Sequence, residues 1–425
     1  MWYNRSILLI NSLKEGDGKS MEERVRQNGF LYRMTRLLTK IYSAFVFKRH
    51  VIRNELKGKK GPFVIIANHQ CAMDFTNLCA TVKQPLYFVI SDSFYRTMPV
   101  KGIMTKLGVI PKRQFETGVV DMRRMKAVVE QGKNLVIYPA GLMCEDGVST
   151  PIPEATYRFL KWLGADIYMA KSYGSYFAMP KWAKGTRPGR VDIDIYKVFD
   201  KEELKTVTTD ELVRRLDEAL AFDAYREQET RLVKHKRGGN IEGLENVLYY
   251  CPNCKREFTI KVENESDIVC TECGYSEKCD EYGFLHKTSE CGEEIRYVSD
   301  WSRLIQDRLS EKIANEGIDI TERCDIYTID DERKKYVKRG EGCVTLKDGS
   351  VTLVGTHDGE AVEFTVSAVH YPSVPFSPGK YIELQHGDCS YRCYLSDGRL
   401  AQKYVNAIKI MHKLNMEKVK KPTTV

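Results

Sequence analysis

The chain has 425 residues, of which 42% are hydrophobic and 29% charged, with a formal net charge of +8. That length exceeds what one hydrophobic core serves, so two or three domains are expected. The composition is that of a soluble globular protein, and no apolar stretch approaches the roughly 20 residues that a membrane-spanning helix needs.

The apolar run at residues 7–10, "ILLI", is too short for a signal-peptide core and lacks a cleavage pattern. The chain is therefore expected in the cytoplasm. Its positive charge is concentrated at the front: residues 1–60 hold 14 Lys/Arg against 5 Asp/Glu. Such a block suits nucleic acid or anionic lipid, or is a merely solvated face. Within 30–47, Phe30, Leu31, Met34, Leu37, Leu38, Ile41, Tyr42 and Phe45 recur at helical spacing, with Arg33, Arg36 and Lys40 between them. This predicts a basic amphipathic helix, either lying in a membrane interface or packed on its own domain.

From 61 to about 222, short apolar runs alternate with amphipathic ones. Strands are predicted at 63–68, 86–90, 134–139, 166–170 and 191–199, and helices at 99–107, 118–131, 153–163 and 208–222. The alternation implies an α/β fold with a mostly parallel sheet flanked by helices, whose ligands gather at the carboxyl ends of strands. Gly238-Gly239 marks a boundary. A helix is predicted over 299–315, then strands within 342–369 separated by Asp-Gly turns at 348–349 and 358–359, strands at 380–384 and 389–395, and a helix over 398–414.

The stretch "VIIANHQCAMDF" (64–75) carries the first chemical signal. An apolar strand stops at Asn68-His69, and Asp74 follows five residues after the histidine. On a straight helix that step turns about 140°, so His69 and Asp74 meet only if the chain bends between them. With three further blocks, this motif resembles the glycerolipid acyltransferases of the lysophosphatidic-acid type. "LGVIPKRQF" (107–115) is similar to the family's Gly-x-x-x-basic block. "LVIYPAGLMCEDG" (135–147) is similar to its aromatic-Pro-Glu-Gly block. A strand near 166–180, ending in "AMPKW", matches its apolar segment with a Pro.

The resemblance implies acyl transfer from a thioester, carried by acyl-CoA or acyl-carrier protein, to a lysophospholipid-type hydroxyl. His69 would be the general base and Asp74 would orient it, with the substrate's hydroxyl in the place a serine takes in a protease triad. Lys112 and Arg113 would grip a phosphate, Lys112 being favoured. Asn68, Pro139 and Gly141 would line the substrate site, Gly141 because a bare backbone N–H can approach an oxygen closely. Cys71 reads as a small packing residue rather than a nucleophile. Where the family has Glu this chain has Ala140, and where a basic residue follows it has Met143 and Cys144. That departure motivates the alternative of an altered or inactive acyltransferase-like protein that binds lipid or nucleic acid.

Of thirteen cysteines, Cys251 and Cys254 form one Cys-x-x-Cys pair, and Cys270 and Cys273 another, fifteen residues on. This is zinc-ribbon spacing, so one structural zinc is expected, with no open coordination position. Cys279, His286 and Cys291 fit no common ligand pattern. Residues 251–300 are acidic on balance, which argues against nucleic acid. The C-terminal strands with their closing helix resemble the pleckstrin-homology-like small barrels in pattern.

The expected organisation is thus a basic helical segment at 1–60, an acyltransferase domain at 61–238, a zinc ribbon at 245–295 and a β-rich domain at 299–418. The expected partners are a membrane lipid surface, a lysophospholipid acceptor and a possible acyl-carrier protein. The expected site of action is peripheral, at the inner face of the cell membrane.

Overall fold

The computed structural model describes residues 26–115, 118–368 and 371–420. The "ILLI" run, and with it residues 1–25 of the N-terminal segment, lies outside the described residues. The first sheet contains β1 (His50–Asn54), β2 (Phe63–Ala67), β3 (Leu86–Ser91), β4 (Ile110–Lys112), β5 (Asn134–Ile137), β6 (Asp166–Tyr173) and β7 (Asp192–Phe199), in the order β1-β7-β6-β2-β5-β3-β4. Only the β6–β7 pairing is antiparallel. The sheet is therefore mixed, and mostly parallel as the sequence predicts.

β2 lies at the centre and all its residues are buried. Alternate side chains serve two cores. Val64 and Ile66 pack with Met125, Leu160 and Leu216, from helices Val119–Glu130, Glu154–Leu163 and Thr209–Leu220. Phe63, Ile65 and Ala67 pack with Leu78 and Tyr32 on the opposite face.

Three local differences from the sequence reading have simple causes. β1 falls in the stretch read as helical; it is a short, polar edge strand with a mostly exposed pattern, so it lacks an apolar signature. The helix expected at 99–107 is Lys101–Lys106, preceded by a separate helix Asp92–Thr97, with Pro99 between them. β6 stops at Tyr173 because Gly174, at φ 88°, turns the chain into the short helix Ser175–Ala178.

The amphipathic helix forms at Gly29–Val46, capped by Asn28, whose side chain accepts from the Leu31 amide. Its orientation is unusual. Tyr32, Thr39 and Ser43 face inward, and the Ser43 hydroxyl bonds Asn77 of the helix Asp74–Thr81. The apolar stripe faces outward: Phe30 is 75% and Phe45 77% exposed, and Met34, Leu37, Leu38 and Ile41 are exposed with them. No helix among the described residues is long and apolar enough to cross a membrane.

A second, antiparallel sheet holds β8 (Ile260–Glu263), β9 (Asp267–Cys270), β10 (Ser276–Cys279) and β11 (Leu285–Lys287). Its core is continuous with the α/β region: Ile260, Cys270 and Trp301 share a cluster with Cys144, Tyr176 and Tyr225. After the helix Val298–Glu316, a third sheet holds β12 (Asp319–Asp330), β13 (Lys335–Lys347), β14 (Ser350–His357), β15 (Glu360–Ser367), β16 (Phe376–Ser377), β17 (Tyr381–His386) and β18 (Cys389–Leu395). The order β15-β14-β13-β12-β18-β17-β16 is antiparallel throughout. The predicted Asp-Gly turns join β13 to β14 and β14 to β15, all four residues having positive φ as a tight hairpin turn requires. The last helix, Leu400–Lys420, packs Tyr404, Val405 and Ile408 into this sheet's core.

Candidate active site

β2 delivers Asn68 and His69 to its carboxyl end. Asn68 bridges to β6: its amide donates to the Ser172 carbonyl at 2.9 Å and its oxygen accepts from the Ser172 N–H at 2.9 Å. The two strand ends are thereby fixed side by side. The chain then turns through 70–73 and starts the helix Asp74–Thr81, which is the bend that the His69–Asp74 spacing demands. His69 Nδ1 lies 3.1 Å from Asp74 Oδ2. The same oxygen accepts from the Gln70 and Cys71 amides at 2.7 and 2.9 Å, and Cys71 Sγ donates to Oδ1 at 3.3 Å. Asp74 is 3% exposed and also sits at a helix N-terminus, where a negative charge is favoured.

These contacts assign the proton by elimination. An ionised Asp74 only accepts, so the hydrogen of this contact is on Nδ1, and in the neutral ring the lone pair is on Nε2. Burial, followed by the charge of Asp74, pushes the Cys71 thiol well up, so it stays protonated and is no nucleophile.

The segment after β5 closes the other side of His69. Tyr138 stacks on the imidazole with ring centroids 4.3 Å apart. Pro139-Ala140-Gly141 follows, with Gly141 at φ 68° and its N–H donating to the Tyr138 carbonyl. The Cys144 amide donates to the His69 carbonyl at 3.1 Å. Next to His69 lies a depression of about 270 Å³, its open mouth included, lined by Asn68, Ala140, Leu142, Ser149, Thr150, Ile152, Leu220 and Phe222 among others.

Lys112 and Arg113 do not line that depression. Their segment still approaches the site, because Gln114 donates to the Gly141 carbonyl at 2.6 Å. Lys112 Nζ donates to the Arg113 carbonyl at 2.9 Å. Arg113 reaches toward the β17–β18 turn, donating to the Gly387 carbonyl at 3.3 Å and pairing with Asp388.

Several residues escaped sequence reading. Tyr138 had a signal, since an aromatic before Pro139 at a strand end belongs to the quoted block. Ser172, Gln114, Leu220 and Phe222 had none. Glu145 and Asp146 were also passed over. Both are buried: Glu145 pairs with Lys409, and Asp146 accepts from the Ser302 hydroxyl at 2.7 Å. Burial alone would raise the Glu145 carboxyl, but Lys409 and Lys181 outweigh it and hold it low. Asp146 is pushed up by burial and by the Glu145 charge.

The four ribbon cysteines converge. Their sulfurs lie within 4.8 Å of one another, with Cys251 to Cys273 and Cys254 to Cys270 both at 3.7 Å. Four thiolates about 2.3 Å from one zinc stand about 3.8 Å apart, so the set fits a tetrahedral ion. Cys279, His286 and Cys291 do not converge. Cys279 donates to the Asp280 carbonyl, His286 bonds Asp280, and Cys291 donates to the Cys273 carbonyl.

Residues 47–170 match the family model described as Acyltransferase. No curated protein matches. Among solved structures, the chain is similar to the 1-acyl-sn-glycerophosphate (LPA) acyltransferase PlsC from Thermotoga maritima, at 19% identity and a TM-score of 0.41, over 54% of this chain and 89% of that one. It is therefore over the stretch that holds Asn68, His69, Asp74 and the Pro139-Ala140-Gly141 turn that this chain is similar to the acyltransferase family.

Proposed function

We propose that the protein is an O-acyltransferase, moving a fatty acyl group from acyl-CoA or acyl-carrier protein to a lysophospholipid-type hydroxyl, with 1-acylglycerol-3-phosphate as the model acceptor. The observation that carries this reading is the His69 Nδ1 to Asp74 Oδ2 contact of 3.1 Å, with Asp74 held by two backbone amides. His69 Nε2 takes the proton of the acceptor hydroxyl as its oxygen attacks the thioester carbonyl carbon. The tetrahedral intermediate collapses, the C–S bond breaks, and the departing thiolate recovers the proton from the imidazolium. Ester and free thiol are the products. Asp74 stabilises the imidazolium in between.

Lys112 is the proposed phosphate ligand, and the Arg113–Asp388 pair has to open for Arg113 to assist. Asn68 lines the depression, whereas Pro139 and Gly141 do not; they flank Ala140, which does, and Gly141 is proposed to allow close backbone approach. The outward apolar stripe of the helix Gly29–Val46, with exposed Arg33 and Lys40 beside it, is proposed to rest on the inner face of the cell membrane, where the lysophospholipid acceptor resides. Cys251, Cys254, Cys270 and Cys273 hold one structural zinc in this reading. The C-terminal sheet acts as a pleckstrin-homology-like accessory domain.

Release of free thiol from acyl-CoA in the presence of lysophosphatidic acid tests the proposal. Wild type is expected to release thiol and His69→Ala is not. Equal rates for the two across a panel of lysophospholipid acceptors would sink it and leave a lipid-binding module.

A further inference from the structure

The His69 imidazole is held at an edge and at a face. Its Nδ1 edge meets Asp74 at 3.1 Å, and one face lies against the Tyr138 ring, with centroids 4.3 Å apart and planes 29° from parallel. The side chain is only 22% exposed. A single hydrogen bond leaves an imidazole free to rock, because its outer torsion has broad wells. A ring against its face removes that freedom. The sequence builds this contact from two strand ends. β2 and β5 run parallel, with Ile66 beside Ile137, so the residues that follow each strand emerge side by side. Pro139 disfavours helical backbone at the preceding Tyr138, which favours an extended exit from β5.

The Tyr138 hydroxyl is not the useful part. It is buried with no hydrogen-bond partner among the described residues, which costs stability rather than adding it. Burial, followed by the charge of Asp74, pushes the phenol well up, so it stays protonated and neutral. That leaves the ring. An aromatic face is electron-rich and attracts a cation within about 6 Å of its centroid. His69 becomes such a cation only when it has taken the acceptor's proton. An attraction that appears with the charge lowers the barrier, whereas one already present in the resting site does not. Asp74 meets the new charge at the imidazole edge and Tyr138 meets it at the face. The nearby Cys71 and Cys144 thiols are pushed well up by burial and stay neutral.

We propose that Tyr138 is a positioning residue for His69, whose π face fixes the plane of the imidazole and stabilises the imidazolium formed during acyl transfer. The inference rests on the acyl-transfer reading above and deepens it by adding a group that acts through the base. In it the hydroxyl is dispensable and the ring is not.

The test is thiol release from acyl-CoA with lysophosphatidic acid, using the full chain. Tyr138→Phe is expected to keep wild-type turnover. Tyr138→Leu is expected to lose about 10- to 100-fold in turnover with little change in KM. Pentafluorophenylalanine in place of Tyr138 keeps the shape of phenylalanine and reverses the charge of the ring face. It is expected to lower turnover about 3- to 30-fold relative to Tyr138→Phe. That ring decides the matter if Tyr138→Leu does not fold. Equal turnover for the two rings overturns the inference. So does a Tyr138→Phe variant as slow as Tyr138→Leu, which would make the hydroxyl the active group. A Tyr138→Leu variant changed only in KM overturns it too, placing the ring in substrate binding. In each of those cases a His69→Ala variant that releases no thiol leaves the acyl-transfer reading standing. Equal rates for His69→Ala and wild type overturn that reading and this inference with it.

Discussion

Lys409, on the last helix, is ion-paired with Glu145, a buried carboxylate whose neighbour Cys144 bonds the backbone carbonyl of His69. The C-terminal domain therefore reaches into the wall of the candidate active site. Gln402, about two turns earlier on the same helix, donates to Glu145 as well.

Removing one partner of such a pair leaves a buried charge uncompensated. Lys409→Met is expected to destabilise the protein by about 3 to 5 kcal/mol, measured by urea unfolding. The sign with pH follows from the lowered Glu145 carboxyl. Its contribution is present above the unfolded carboxyl range and is lost as pH falls through the lower folded value. The variant should lack that part of the acid destabilisation. A variant as stable as wild type at neutral pH would show the pair to be dispensable.

His69→Ala is expected to lower the turnover number by about 100- to 10,000-fold, with little change in KM. Asp74→Asn should approach the same loss, because an amide can present its N–H to Nδ1 and hold the wrong tautomer. Asp74→Ala should in addition cost about 1 to 3 kcal/mol of stability for each stranded amide, since the Gln70 and Cys71 N–H groups lose their acceptor. A KM effect without a turnover effect would place His69 in binding only.

Metal content gives an independent check. One zinc per chain is expected, lost in Cys251→Ser. Trp301 reports the change, because its indole N–H donates to the Tyr250 carbonyl, one residue before Cys251. Its fluorescence should shift on chelation. Two zincs per chain, or none in wild type, would remove the ribbon assignment.

His235 supplies a pH-dependent term. Burial, with Arg231 and Arg187 nearby, pushes its pKa down to about 4. An unfolded histidine titrates near 6.5, so as pH falls from about 6.5 to about 4 the unfolded chain takes up a proton that the fold refuses. Stability should fall over that window by up to about 3 kcal/mol. Glu227 acts in the opposite sense. Burial raises it to about 7, so its contribution is present at low pH and is lost as pH rises through about 7. The telling measurement is the difference between wild type and His235→Phe across the window. A difference that does not change with pH would refute the assignment.

The His69–Asp74 pair was legible because the sequence shows a strand, an abrupt polar stop and a carboxylate at a spacing that only a bend makes useful. The cysteine pairs were legible because thiolate knuckles impose short spacing. Both Asp-Gly hairpins were legible because two consecutive positive-φ residues need them. The sequence does not show β12, since residues 319–323 alternate exposed with half-buried positions and carry three charges, so they look like a loop. Arg113 was expected to face a phosphate. In the structure it pairs with Asp388, some 275 positions away, which no local pattern encodes.

By itself the sequence determined what is local: strand and helix periods, the turn residues, the His69–Asp74 bend and the two Cys-x-x-Cys pairs. Those depend on backbone sterics and on chemistry within a few residues. Tertiary structure alone decided that the apolar face of the helix Gly29–Val46 points outward and that Lys409 compensates Glu145. Each is a matter of which distant surface comes to lie against which. A helical period says that a stripe exists, but only the packing of the other face against Asn77 and its neighbours leaves that stripe uncovered.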